Sequence, residues 1–159
     1  GVEYRYIAYI PEDYDPTRRY PLRVYLHGGV SRPRRDEANW WRSQERYARA
    51  DAIVVFPESW REAMWWQVSQ VENLIGMLND LKRDYNVNEN AVHLLGVSDG
   101  ATGVFYHAFK SPTPWAGFLS FNGHPVVLAN PSTDVDGQMY VTNLRNKPFF
   151  VINGGEDRL

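Results

Sequence analysis

Ala91-Val92-His93-Leu94-Leu95-Gly96-Val97-Ser98-Asp99-Gly100-Ala101 runs an apolar, strand-like stretch into Gly-x-Ser-x-Gly and then into a helix-compatible segment. Such a segment reads as a nucleophile elbow, a sharp strand-to-helix turn that lifts a serine hydroxyl off the tip of a strand. The turn holds the serine in a sparsely populated backbone conformation, so the residues two places either side crowd one another unless they are very small. Gly96 and Gly100 stand at those two places. The alternative is an ordinary strand-to-helix turn with a surface serine, and the flanking strand and helix patterns favour the elbow.

Two more strand-like segments end in residues that such an elbow needs. Pro21-Leu22-Arg23-Val24-Tyr25-Leu26 leads into His27-Gly28-Gly29-Val30, where paired glycines let main-chain N–H groups approach a ligand without a side chain in the way. The N–H near Gly29 is a candidate oxyanion donor, and the N–H of Asp99, the residue after the serine, is the second. Pro148-Phe149-Phe150-Val151-Ile152-Asn153-Gly154-Gly155-Glu156-Asp157 is a third apolar run that ends in glycines and then a carboxylate, with Asp157 placed to orient a histidine.

Periodicity alternates strands and helices along the whole chain, without repeats or low-complexity tracts. Residues 2 to 10 alternate as a half-exposed strand, 13 to 20 form a turn, and 22 to 27 form a strand buried on both faces. Residues 38 to 50 are compatible with a helix, and 52 to 56 form a short strand stopped by Pro57. From 67 to 85, Val68, Val71, Leu74, Ile75, Leu78, Leu81 and Tyr85 recur at helical spacing. Strands at 91 to 97, 116 to 121 and 148 to 153 follow, with a helix near 100 to 110 and an irregular stretch from His124 to Asn146. This alternation predicts one α/β domain over 1–159, with a mostly parallel sheet and helices on both faces. In such sheets reactive groups gather beyond the carboxyl ends of the strands, where His27-Gly28-Gly29, Ser98 and Asp157 all fall.

The chain resembles α/β-hydrolases of the esterase group that includes feruloyl and acetylxylan esterases and polyhydroxybutyrate-depolymerase-like enzymes. The resemblance rests on Tyr20-Pro21-Leu22 through His27-Gly28-Gly29, on Ile53 to Pro57, on Trp65-Trp66, on Gly96 to Gly100, and on Ile152-Asn153-Gly154 to Asp157. It implies Ser98 as nucleophile, Asp157 as triad acid, and N–H groups near Gly29 and Asp99 as oxyanion hole. A secreted or periplasmic location is open on the same ground. The family carries its catalytic histidine after the acid, whereas only Arg158 and Leu159 follow Asp157 here. The expectation is therefore a domain incomplete at its C-terminus, without the last strand, the last helix and the histidine loop between them. Of the four histidines, His27 belongs to the glycine loop, His93 and His107 read as packing residues, and His124 falls near a strand end but out of the family's order. Such a truncation would leave the strand at 148 to 153 as an unpaired apolar edge, open to self-association.

Composition narrows the readings further. The formal net charge is −2, which does not favour a nucleic-acid partner, and no apolar run has the length of a membrane span. The absence of cysteine excludes disulfides, thiol nucleophiles and cysteine-based metal sites. Neither metal nor organic cofactor is implied. Arg32-Pro33-Arg34-Arg35 reads as a solvated loop, although its place after the glycine pair also suits attraction of an acidic substrate. Trp60, Trp65 and Trp66 either wall a substrate pocket or pack beneath their loop. The leading reading is a serine hydrolase acting on a small-molecule or carbohydrate-linked ester. A peptidase or thioesterase would use the same machinery, and a non-catalytic binding scaffold is the alternative of another class.

Overall fold

The computed structural model describes residues 4–33, 42–130 and 136–156 of the 159. Six strands, β1 (Tyr6–Tyr9), β2 (Tyr20–Leu26), β3 (Ile53–Pro57), β4 (Val87–Val97), β5 (Gly117–Phe121) and β6 (Phe149–Ile152), form one sheet in the order β1-β3-β2-β4-β5-β6. Only β1 is antiparallel to its neighbour; β3, β2, β4, β5 and β6 all run the same way. The expected mixed α/β architecture is thus observed. β4 begins earlier than its apolar run because Val87 pairs with Tyr20 across a register shift before Leu22 meets Val92.

Alternation along β2 sends Tyr20, Leu22, Val24 and Leu26 to one face, fully buried. Register aligns Ile53 and Val55 of β3 with Leu22 and Val24, and Val92 and Leu94 of β4 with the same pair. Against this face pack α1 (Val68–Asp84) and α2 (Asp99–Lys110), so that Leu74, Met77, Leu78 and Leu81 of α1 share one apolar cluster with Val104, Phe105, Ala108 and Phe109 of α2. The buried stripe of α1 is rotated from the one its apolar spacing predicts. Val68 and Ile75 are exposed, while Gln70 is buried and donates its side-chain amide to the Glu58 carbonyl at 2.8 Å. That bond meets the requirement that a buried amide find a partner.

The opposite face carries the 3-10 segment Arg42–Tyr47 within the 38 to 50 range expected to be helical, of which residues 38–41 lie outside the described residues. Tyr47 packs on Tyr25 and Phe56, themselves stacked with ring centroids 5.1 Å apart. A cavity of about 550 Å³ lies on this face, lined among others by Tyr25, Tyr47, Phe56, Leu95 and Phe121. Among the described residues, the irregular stretch after His124 contains two further 3-10 turns, Pro125–Ala129 and Val141–Leu144. At the end of the described sheet, β6 exposes Phe150, Val151 and Ile152. No helix among the described residues is long and apolar enough to cross a membrane.

His107 is fully buried in α2 against Tyr106 and Trp115, and neither ring nitrogen has a hydrogen-bond partner among the described residues. Burial lowers its pKa from 6.5 to about 4. The unfolded chain therefore binds this proton at a higher pH than the folded one. Stability is complete above about pH 6.5 and falls as the pH drops toward 4, by about 3 kcal/mol at ~1.4 kcal/mol per pH unit. His107→Phe fills the same apolar surroundings with a ring that needs no partner. The variant is expected to lose on the order of 2 kcal/mol less stability between pH 7.5 and 4.5 than the parent, measured by urea unfolding at both values.

Candidate active site

The strand order brings separated loops together at one edge. The connection after β2 runs to β3 on one side and the connection after the adjacent β4 runs to β5 on the other, so the loops leaving the carboxyl ends of β2 and β4 diverge. Loops diverging there leave a crevice, the usual position of a ligand in an open α/β sheet. The His27-Gly28-Gly29 loop follows β2 and Ser98 follows β4, and the two strands are paired up to Leu26 and Gly96.

Ser98 adopts φ 56°, ψ −123°, a conformation that L-residues rarely hold, and it stands exposed between β4 and α2. Strain of this kind costs of order 1–3 kcal/mol and persists only where surrounding contacts enforce it. Here the enforcing contacts are close packing around glycines. A Cβ on Gly96 would lie 2.3 Å from the Gly100 carbonyl oxygen, and a Cβ on Gly100 would lie 2.0 Å from the Leu26 carbonyl oxygen. The first turn of α2 therefore rests directly on the end of β2. The Ser98 N–H donates to the Phe121 carbonyl of β5 at 3.0 Å, which ties the elbow to the next strand as well.

The glycine loop is drawn over the serine. A Cβ on Gly28 would stand 2.8 Å from Ser98 Cβ and 3.3 Å from its Oγ, so a side chain at 28 would obstruct the hydroxyl. Gly29 has φ 73°, in the left-handed region that favours glycine. Val30 N–H donates to the Asp99 carboxylate at 2.9 Å, a contact spanning 69 residues that clamps the loop to the start of α2. Val30 N–H is thus occupied, whereas the main-chain N–H groups of Gly29 and Asp99 take no hydrogen bond among the described residues.

Beneath the loop, His27 and the tryptophans form a support. His27 Nε2 accepts from Ser59 N–H at 3.0 Å, which places the ring proton on Nδ1, 2.8 Å from the Gly28 carbonyl. Trp60 and Trp65 flank the ring at centroid distances of 4.8 and 5.2 Å. Burial lowers the His27 pKa, partly offset by the Gly28 carbonyl and by Asp99. With both nitrogens engaged and the neutral form favoured, His27 orients the loop. Trp65 is fully buried and donates its indole N–H to the His27 carbonyl at 2.8 Å, while Trp60 and Trp66 are 9% and 7% exposed. Trp60 and Trp65 thus pack on the His27 ring, and Trp66 belongs to the buried apolar core.

The end of β6 reaches the same edge through a clasp that the sequence reading did not identify. Asn122, at φ 50°, donates its N–H to the Ile152 carbonyl and accepts from Gly154 N–H, both at 2.8 Å. Asn153 Oδ1 accepts from Gly123 N–H at 3.3 Å. The available signal was the pair of Asn-Gly dipeptides, because asparagine is the side-chain-bearing residue that best tolerates the left-handed turn. Asp157 lies outside the described residues. His124 is exposed just beyond the clasp, and its carbonyl accepts from the Thr102 hydroxyl at 3.3 Å. His93 is half-buried in β4, its pKa lowered first by burial and then by Arg23.

No protein-family model matches the chain, and no curated protein matches it in sequence. Solved structures do match it in shape. A thermostable esterase superposes with a TM-score of 0.63 at 21% identity, over 98% of this chain and 52% of its own. Acetyl xylan esterase from Aspergillus awamori gives 0.58 at 15% identity, over 79% of this chain and 48% of its own. A putative dipeptidyl aminopeptidase IV from Bacteroides ovatus gives 0.66 at 15% identity, over 96% of this chain and 26% of its own. The chain therefore has the fold of these hydrolases, and it spans about half the length of the two esterases.

Proposed function

We propose that the chain carries the nucleophile of a serine hydrolase that cleaves carboxylic esters through an acyl-enzyme on Ser98. The observation that carries the reading is the strained backbone of Ser98, enforced by Gly96 and Gly100, with Gly28 leaving its hydroxyl clear. In this mechanism Ser98 Oγ attacks the acyl carbon while a base takes its proton. The carbonyl oxygen gains the charge, and the N–H groups of Gly29 and Asp99 receive it. Donors of this kind are worth about 3 to 4 kcal/mol each in the transition state. Asp157 would hold the tautomer of the basic histidine. No step uses a metal or an organic cofactor.

The base is not supplied by His27, whose nitrogens are both engaged, or by His107, which is buried on α2 two turns below Ser98. The test is p-nitrophenyl acetate hydrolysis with added imidazole as exogenous base, comparing the chain with Ser98→Ala. A Ser98-dependent, imidazole-dependent rate supports the reading, and its absence in the folded chain favours a binding scaffold. Peptidase action is the second reading, since the fold is shared with a putative dipeptidyl aminopeptidase. Parallel assay of a p-nitroanilide separates the two.

The exposed apolar edge at β6 bears on partners. Self-association through that edge is expected to appear as a concentration-dependent sedimentation coefficient. Phe150→Lys, which places a charge on the exposed side chain, is expected to suppress it. A monomer at all concentrations would remove this partner from the reading.

A further inference from the structure

Two arginines stand at the carboxyl edge without a counter-ion among the described residues. Arg32 follows the glycine loop in a turn closed by its own N–H on the Gly29 carbonyl at 3.2 Å. The turn folds its side chain back over the loop. A Cβ built on Gly29 would lie 3.7 Å from Arg32 Cδ and Nε and 3.8 Å from the guanidinium carbon. Arg61, in the loop after β3, donates its N–H to the Arg32 carbonyl at 3.1 Å and so adds a second cation to the same rim. Both arginines are exposed, and neither side chain has a hydrogen bond or an ion pair among the described residues. The nearby carboxylates among the described residues do not neutralise them. Asp99 is turned to the Val30 N–H, Glu58 is buried, and the exposed Glu62 pairs with neither arginine.

The guanidinium therefore sits against the residue whose N–H is a candidate oxyanion donor, one glycine away from the contact between Gly28 and Ser98 Oγ. We propose that Arg32 is a specificity-determining residue that receives a carboxylate carried by the substrate, so that the preferred esters are acidic ones. The inference rests on the hydrolase reading above. A planar guanidinium presents paired N–H donors that match a carboxylate, and without a protein partner it has no ion pair to break. Being exposed, it gives a modest preference that salt weakens, up to about fivefold in affinity.

Binding tests this without turnover. Dissociation constants are measured by amide chemical-shift titration for two matched pairs of unreactive analogues. Succinamic acid against butyramide places the carboxylate on the acyl side, and 4-acetamidobenzoate against acetanilide places it on the leaving-group side. One acid is expected to bind up to about fivefold tighter than its neutral partner at low salt, with shifts centred on Gly29 to Arg32. The preference should vanish in Arg32→Gln, persist in part in Arg32→Lys, and shrink at high salt. Which pair shows it identifies the side of the ester that bears the charge. Equal affinities, no measurable binding of any of the four compounds, or a preference unchanged in Arg32→Gln would overturn the proposal. Should Ser98 prove inert toward esters while the Arg32-dependent preference is present, the hydrolase reading fails and the carboxylate site stands.

Discussion

Gly100→Ala is expected to cost more than about 3 kcal/mol of stability, at or beyond the upper end of what overpacking usually does. The added methyl would sit 2.0 Å from the Leu26 carbonyl oxygen and 2.8 Å from that of His27. Those atoms belong to the backbone, so no rotamer change relieves the overlap. Relief requires α2 to lift from the end of β2, which would break the Val30–Asp99 bond and withdraw the glycine loop from Ser98. Gly76→Ala is the matched control, because a Cβ there meets nothing within 4 Å on an exposed turn of α1. That variant is expected to gain up to about 1 kcal/mol from helix propensity. Urea unfolding of both variants against the parent measures the contrast. A small loss in Gly100→Ala would mean that the elbow is not clamped on β2.

Ser98→Ala is expected to reduce imidazole-dependent ester turnover to that of free imidazole, a drop on the order of a hundredfold or more in the protein-dependent rate. A protonated hydroxyl is a weak nucleophile, so turnover without added base is expected to be faint. Imidazole supplies the base in solution. His124→Gln is expected to leave both rates unchanged, and a large loss there would instead identify His124 as the base. The substitution at 98 also removes the hydroxyl without adding volume, so unfolding is expected to be nearly unaffected, and this separates loss of chemistry from loss of fold.

Much of the scaffold was legible because it is encoded over short distances. Strand-turn-helix around Ser98 lies within eleven consecutive residues, and Gly-x-Ser-x-Gly states a steric requirement that only the smallest residue meets. Likewise β2, β3, β5 and β6 fall where their apolar runs place them, although only β3 is buried throughout, while β2 alternates buried with half-buried residues and β6 is largely exposed. Helical spacing located α1 but not its buried face. Gln70 enters the core because the Glu58 carbonyl needs a donor there, a demand that arises from another element.

Local sequence specifies the strand-to-helix turn at Ser98, the glycine-rich turn after β2, the alternation of strands and helices, and the mostly parallel sheet that follows from it. These are consequences of local sterics and of which residues must leave water. Tertiary contacts alone set Asp99 on Val30, Asn122 and Asn153 around the end of β6, Ser59 and the Gly28 carbonyl on the two nitrogens of His27, and Trp60 and Trp65 on the His27 ring. Each of these depends on groups brought together by the strand order from distant parts of the chain. A side chain's partner, unlike its propensity, is not written in its neighbours.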